Sequence, residues 1–186
     1  MSIINWLFEK NEHLIEALCE RVSQNLPYQR IDTEGSPYLE RFYIFRRSWL
    51  IDTDDEKGVD DLSKQTWWQK RMKGIYLHHF HRGDHDRELH NHPWDDSWSL
   101  ILTNGYFEER GVGSKILNFV LKPGSINRIK ANDFHRVDLR NPNKGCWTLF
   151  FSGPRVQNWG FKDWLNPDAP FVPYQEHTAS DTYHVG

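Results

Sequence analysis

The chain has 186 residues, of which 38% are hydrophobic and 15% aromatic, and its net charge is −3. This length suits one domain with a sizeable core. The mild charge gives no basis for binding a long nucleic-acid backbone or an anionic membrane over the whole surface. Two cysteines are too few for a disulfide framework, so we expect a reducing cytoplasm. Neither a signal peptide nor a long apolar run is visible, so we expect no membrane span.

The N-terminal segment has the pattern of a helix. Residues 3–25 carry apolar side chains at helical spacing with charged side chains between them, and Pro27 follows. This pattern predicts an amphipathic helix. We expect the helix to cover a wall or an edge of the structure that follows, and a dimer contact is the competing interpretation.

The rest of the chain has the pattern of short strands. A strand is predicted in residues 37–50, and the acidic stretch 51–66 is interpreted as an exposed loop because it lacks the spacing of a calcium loop. Residues 73–82 alternate as a strand, with Ile75, Leu77, His79 and His81 on one face and Tyr76, His78, Phe80 and Arg82 on the other. Further strands are predicted at 88–94, 97–103, 105–110, 115–121, 125–130, 134–139 and 146–152.

Turn residues separate these strands. Asn104-Gly105 is typical of a tight hairpin, and Lys122-Pro-Gly124 and the segment 141–145 mark two more turns. Many short strands at this spacing predict a mainly β protein, either a barrel or a jelly roll. The tail after Ser152 is aromatic, and we expect it to pack on the barrel through Trp159, Phe161, Trp164, Phe171 and Tyr174.

The stretch from Glu88 to Asp96 contains the strongest functional signal. His90 and His92 are two positions apart, so in an extended chain their imidazoles share a face. His135 lies about forty positions downstream in another predicted strand. Histidine nitrogens together with a carboxylate and open coordination positions form the ligand sets of catalytic Zn(II) and non-haem Fe(II) sites. We therefore expect a divalent metal at His90, His92 and His135.

Asp96 is the candidate carboxylate ligand of this site. It follows His92 by four residues, and Asp95 competes with it for the role. Three interpretations stay open: a direct ligand, an acceptor that orients an imidazole, and a carboxylate at a strand end with no part in the site.

Several further residues are candidates for binding or catalysis. Arg87, Arg128 and Arg136 could hold an anionic substrate group, because the planar guanidinium suits carboxylate and phosphate. Arg128 is expected on the strand before His135, facing inward. His81, which shares a face with His79, could line the pocket as an acid/base group or as an extra metal ligand. Arg128 and His81 are the predicted catalytic residues, and ordinary structural roles remain the alternative for each.

These residues resemble the two sequence motifs of the cupin superfamily. His90 and His92 stand at the histidine positions of the first motif, with Asp96 in the place of its glutamate. Gly124 and His135 stand at the expected separation in the second motif, although Lys130, Asn132 and Leu139 depart from it. Residues 37–175 also resemble a group of little-characterised cupin-like proteins of bacteria and phages.

The resemblance implies a double-stranded β-helix with an N-terminal helix, and one metal ion in the barrel. We expect one cupin-like domain over 1–186: a helix in 3–25, a barrel in 37–152 and a packed tail in 153–186. The leading expectation is a non-haem Fe(II) dioxygenase-type enzyme acting on a small polar or anionic substrate. The alternatives are an isomerase or lyase that uses Zn, Mn or Ni without redox change, and a non-enzymatic binding module. A homodimer is also expected from the resemblance.

Overall fold

The computed structural model describes residues 2–33, 35–46, 74–84, 88–166, 168–177 and 182–185. The predicted acidic loop 51–66 and the candidate Arg87 lie outside these ranges. The described residues form thirteen strands: β1 Tyr28–Thr33, β2 Ser36–Arg46, β3 Gly74–Phe80, β4 Leu89–His90, β5 Ser97–Ile101, β6 Tyr106–Val112, β7 Lys115–Leu121, β8 Ile126–Ile129, β9 His135–Leu139, β10 Cys146–Ser152, β11 Gly160–Lys162, β12 Val172–Pro173 and β13 Thr182–Val185.

The strands form two antiparallel sheets. One has the order β13-β1-β2-β3-β10-β5-β8, and the other has the order β12-β11-β4-β9-β6-β7. If β3 to β10 are numbered one to eight, their orders are 1-8-3-6 and 2-7-4-5. Except for the hairpin of β6 and β7, each of these strands therefore pairs only with strands that do not directly precede or follow it, and successive strands alternate between the sheets. This connectivity is that of the jelly roll on which cupins are built, which confirms the predicted fold class.

The predicted N-terminal helix is present as two helices, α1 (Ile3–Lys10) and α2 (Glu12–Ser23). Asn11 separates them, with its side-chain amide donating to the carbonyl oxygen of Leu7 at 2.8 Å. Such side-chain bonds to the backbone compete with a continuous helix. The helix α2 lies on the outer face of the first sheet, where Cys19 packs with Phe42, Leu77 and Trp147. Among the described residues, no helix is long and apolar enough to cross a membrane.

The core lies between the two sheets. Ile101, Tyr106, Val137, Leu139 and Cys146 form a buried cluster that joins β5 and β10 to β6 and β9. Fully burying one such aliphatic side chain contributes about 1.5–3 kcal/mol, so the cluster holds the two sheets in a fixed relation. The strands that carry the candidate site residues are thereby fixed as well.

The prediction of a hairpin at Asn104-Gly105 is wrong. Both residues have positive φ, 57° and 83°, as the sequence pattern requires for a tight turn. However, the strands on either side, β5 and β6, belong to different sheets. The turn carries the chain from one sheet to the other, and the side-chain amide of Asn104 fixes it by donating to the carbonyl oxygens of Asn141 and Lys144.

The aromatic tail packs on the second sheet. Its strand β11 pairs with β4, so Phe161 lies directly across from His90 and is buried. Trp159 stacks on Tyr174 at 4.4 Å between ring centroids. Phe134 contacts both Trp164 and Phe171. Through β11 and β12 the tail therefore extends the sheet that carries the histidines, whereas its last strand, β13, joins the first sheet beside β1.

Candidate metal centre

Three histidines meet on the inner face of the second sheet. His90 ends β4 and pairs directly across the sheet with His135, the first residue of β9. His92 follows two residues after His90, and one ligand nitrogen from each of the three rings lies within 4.8 Å of the others. The Nε2 atoms of His92 and His135 are 2.6 Å apart. Two ring nitrogens this close require a shared proton or a common cation between them.

A buried carboxylate lies behind His135. Glu108, on β6, is 2% exposed, and its carboxylate accepts a hydrogen bond from Nδ1 of His135. Arg110 and Asn127 also donate to the same carboxylate oxygen, at 2.8 and 3.1 Å. A neutral ring that donates from Nδ1 presents the lone pair of Nε2 to the cluster. A carboxylate that orients a histidine in this way is the usual support of a metal ligand.

A second carboxylate faces His90. The distance from Oδ2 of Asp84 to Nδ1 of His90 is 3.9 Å. Asp84 is itself fixed, because its carboxylate accepts from the hydroxyl of Tyr38 and from the backbone N–H of Val137. The two carboxylates therefore lie on the outer side of the histidine cluster and leave its centre to ring nitrogens.

The electrostatics of the cluster favour a neutral His92. Burial, followed by the effects of the His135 and His90 rings, holds the pKa of His92 well below its ordinary 6.5. Burial raises the pKa of Glu108, but hydrogen bonding and charge from His135 and Arg110 outweigh it and bring that pKa to about 2. A neutral imidazole is the form that binds a metal, and an ionised carboxylate is the form that supports it.

A cation lies beside this cluster on the first sheet. The guanidinium of Arg41, on β2, donates from Nε to Nε2 of His78 at 3.2 Å. It also lies over the rings of Tyr76 and Trp94, at 5.5 and 5.6 Å from their centroids. Trp94 in turn stacks on His92. Arg41 thus reaches the histidine cluster through one aromatic ring, and it was not singled out in the sequence.

Asp96 does not join the histidines. Its φ is 54°, and its carboxylate pairs with the guanidinium of Arg128 at 2.6 Å. Asp95 instead accepts from the backbone N–H of Ala131. Neither carboxylate belongs to the group of ligand atoms around His90 and His92 in the described part of the chain. The chain turns at Asp96 to enter β5, which belongs to the first sheet. The sequence spacing contains no information about this turn, so it places Asp96 with the histidines.

The expectation that Arg128 faces inward is corrected by the structure. Arg128 lies between Asn127 and Ile129, which are both buried, so strand alternation turns it outward. Its side chain is 51% exposed and lies over the ring of Trp98 at 5.1 Å. Arg136 also faces away from the histidines and donates to the carboxylate of Glu109.

His81 is likewise separated from the metal cluster. It shares the outer face of the first sheet with His79 and Leu77, while the inner face carries Tyr76 and His78. The alternation predicted for 73–82 is therefore present. However, the face with His79 and His81, which was expected to line the pocket, is the outer one. Apolar residues occupy both faces because α2 covers the outer one, and this concealed which face is internal.

The donor set fits a divalent transition metal. Three imidazoles without a carboxylate among them match catalytic Zn(II), and imidazole also suits Fe, Ni and Cu. Mg²⁺ and Ca²⁺ prefer oxygen ligands, so they fit this set poorly. The residues His90, His92 and His135 are thus a candidate site for a metal ion on a cupin-type fold.

The chain matches no protein-family model and no curated protein. Similar solved structures include the hydroxypropylphosphonic acid epoxidase from S. wedmorenis, at 8% identity and a TM-score of 0.45, covering 70% of this chain and 56% of that one. They also include a structure of the DMSP lyases RdDddP and RnDddQII, at 14% identity and a TM-score of 0.34, covering 45% of this chain and 43% of that one. Vicilin from Solanum lycopersicum has 10% identity and a TM-score of 0.48, over 75% of this chain and 34% of that one.

The chain therefore spans little more than half the length of the epoxidase. Because these TM-scores are all below 0.5, the fold assignment rests on strand connectivity. The metal centre rests on the contacts of the chain's own side chains.

Proposed function

We propose that this chain is a metal-dependent enzyme whose single divalent ion is held by His90, His92 and His135. The observation that carries the proposal is the 2.6 Å approach of the Nε2 atoms of His92 and His135. Burial holds the pKa of His92 low and so favours its neutral ring, and a His135 ring that donates from Nδ1 to Glu108 directs Nε2 toward His92. A bound metal ion would accept a lone pair from each ring, whereas without it one Nε2–H must donate to the other ring, and elemental analysis separates these two arrangements.

The finer proposal is a non-haem Fe(II) enzyme of the dioxygenase type. A bound Fe(II) would supply redox chemistry with dioxygen at its open coordination positions. The nearby described carboxylates, Glu108 and Asp84, both face Nδ1 atoms of the histidines. They are thus occupied in orienting ligands, whereas a hydrolytic reaction needs a carboxylate or another base directed at water. Oxygen chemistry makes no such demand.

The substrate is proposed to be small and anionic. Arg41 supplies a positive charge on the inner face, and its guanidinium lies over the rings of both Tyr76 and Trp94. His78 accepts from Nε of Arg41, which leaves the terminal nitrogens to face a carboxylate or a phosphate. The part of the guanidinium that binds the anion is therefore oriented before the substrate arrives, and this lowers the entropic cost of binding.

Elemental analysis of protein purified without a histidine tag tests the metal proposal. We expect the parent to contain about one Fe or Zn per chain more than the double variant H92A/H135A, which should keep the near-ultraviolet circular dichroism of the parent. An oxygen electrode then tests the finer proposal, with small carboxylates and phosphonates offered to the Fe(II)-loaded protein. Substrate-dependent oxygen uptake that the double variant lacks is the expected result.

A redox-neutral isomerase or lyase is the second candidate, because three imidazoles are also the ligand set of catalytic Zn(II). It would be favoured if Zn(II), Mn(II) or Ni(II) supports turnover without oxygen uptake. A binding module is the remaining alternative. A binding module would be favoured if removal of the metal changes thermal stability but leaves ligand binding unchanged. Protein that takes up neither Fe(II) nor Zn(II) at the three histidines would contradict the enzyme proposal.

A further inference from the structure

A second group of metal-ligating side chains lies on the outer face of the first sheet. Glu40, on β2, is paired directly across from His79 on β3. His81 is two residues further and just beyond the end of β3, so it shares their face. One ligand atom from each of the three residues lies within 4.8 Å of the others. Because the inner face of β3 carries Tyr76 and His78, this group is distinct from the interior centre.

One carboxylate oxygen contacts both imidazoles of this group. Oε2 of Glu40 is 3.0 Å from Nε2 of His81 and 3.5 Å from Nδ1 of His79. The centroids of the two rings are 4.3 Å apart. A simple ion pair would need only one imidazole. Two ring nitrogens and a carboxylate oxygen that converge are a donor set for zinc and similar borderline cations.

The ring of His79 is held rigidly in this position. It stacks on the indole of Trp147 at 4.1 Å with an interplanar angle of 5°. A Cβ placed on Gly145 would collide with Nε2 of His79, so only glycine leaves room for the ring there. Burial, followed by the neighbouring His81, lowers the pKa of His79 to about 4, which keeps the ring neutral at physiological pH.

The group is also accessible to an ion from solution. The side chains of Glu40, His79 and His81 are 23%, 20% and 33% exposed. They are thus shielded enough for strong electrostatic interaction, yet each remains in contact with solvent. Two imidazoles among three donors make Zn(II) a better fit than Ca²⁺ or Mg²⁺.

We propose that Glu40, His79 and His81 form a second divalent-metal site that binds Zn(II) on the outer face of the first sheet. The site joins β2 to β3, and through the stacked Trp147 it contacts the cluster packed under α2. Its role is to bind a metal and stabilise this wall, since an ion that binds only the folded state raises stability. The proposal is independent of the interior centre.

Zn(II) titration of metal-free, tagless protein tests this site. We expect two tight equivalents in the parent chain, one in E40A/H81A, one in H92A/H135A and none in the variant that combines all four changes. H13A, which removes an exposed histidine of α2, should keep both equivalents. Near-ultraviolet circular dichroism checks the folding of each variant.

Retention of every parental equivalent by E40A/H81A would overturn the second site and leave the proposed function standing. A single parental equivalent lost only in E40A/H81A would support the second site and contradict the interior centre. A second readout uses H92A/H135A, where only the outer group remains. Co(II) should quench tryptophan emission there because His79 stacks on Trp147, and unchanged emission would overturn the proposal.

Discussion

Two histidine pairs with the same spacing, His90/His92 and His79/His81, meet their carboxylates in opposite ways. In the interior, Glu108 contacts Nδ1 of His135 and Asp84 faces Nδ1 of His90, so the carboxylates stand behind the rings. On the outer face, Glu40 stands between the rings and is itself a candidate ligand. The interior group therefore offers only nitrogen donors, and the outer group offers two nitrogens and one oxygen.

This difference shows that a His-x-His pattern alone does not define a site. The pattern places two imidazoles on one face, and the position of the nearest carboxylate decides whether it orients a ligand or acts as one. A carboxylate behind the rings leaves coordination positions open for a substrate. The interior group is thus suited to catalysis, whereas the outer group is suited to holding an ion.

The largest effect is expected from Glu108→Gln. The substitution keeps the size of the side chain but removes the charge that orients His135 and pairs with Arg110. We expect the interior site to bind its metal about 10–100-fold more weakly. Isothermal titration with Zn(II) in the E40A/H81A background measures this. Glu109→Gln, on the outer face of the same strand, is the matched control and should leave the affinity unchanged.

The next effect distinguishes the inward arginine from the outward one. Arg41→Met should weaken binding of small carboxylates and phosphate about 10-fold or more, because a charge-assisted contact contributes about 1.5–3 kcal/mol. Arg128→Met should change it little. The spectrum of the Co(II)-substituted protein reports the binding of each anion. Equal losses of anion affinity in both variants would contradict the assignment of anion binding to the inward-facing Arg41.

A pH effect is expected from His78. Burial, and then the charge of Arg41, hold the pKa of His78 well below 6.5. As pH falls below 6.5, His78 becomes protonated in the unfolded chain but stays neutral in the folded protein, so the free energy of unfolding decreases. One such histidine contributes up to about 1.4 kcal/mol per pH unit.

His78→Phe removes the group that binds this proton in the unfolded chain and keeps an aromatic ring in contact with Tyr76 and Phe150. Urea unfolding between pH 7 and 5 should show a shallower loss of stability in the variant than in the parent. Parallel pH profiles for the two proteins would contradict the assignment of a neutral, buried His78.

The smallest effect is expected from Asp96→Asn. The pair formed by Asp96 and Arg128 is largely exposed, and such surface pairs contribute less than about 1 kcal/mol. Asparagine also tolerates the positive φ at this position. Metal content should stay the same. A loss of the interior metal in D96N would instead show that Asp96 contributes to metal binding.

Local patterns predicted much of the fold. The patterns predict the strands from β3 to β10 to within a few residues, although β4 is shorter than the predicted 88–94, and they do not predict β1 or β11 to β13. The face shared by His90 and His92 follows from strand alternation. His135 follows from its position in another predicted strand, and its separation from Gly124 in the second motif supports it. The hairpin at Asn104-Gly105 failed because turn residues report local backbone shape and carry no information about which sheet the next strand joins.

The remaining site residues depend on contacts between distant strands. Glu108 and Arg41 have ordinary strand neighbours, and only the register of β6 against β9 and of β2 against β3 brings them to the histidines. Arg128 was placed inward because alternation gives two faces without stating which is internal. A signal for Glu108 exists in its spacing from Tyr106 and Arg110, because residues two apart on a strand share a face and this places an acidic and a basic side chain beside the buried Tyr106.

Anomalous X-ray diffraction at the metal absorption edge, from crystals of tagless protein loaded with Fe(II) or Zn(II), is the most direct test of the interior centre. We expect a peak bounded by the ring nitrogens of His90, His92 and His135, with Glu108 in contact with Nδ1 of His135. Loaded crystals without a peak at these three rings would contradict it, whatever density appears at the outer group.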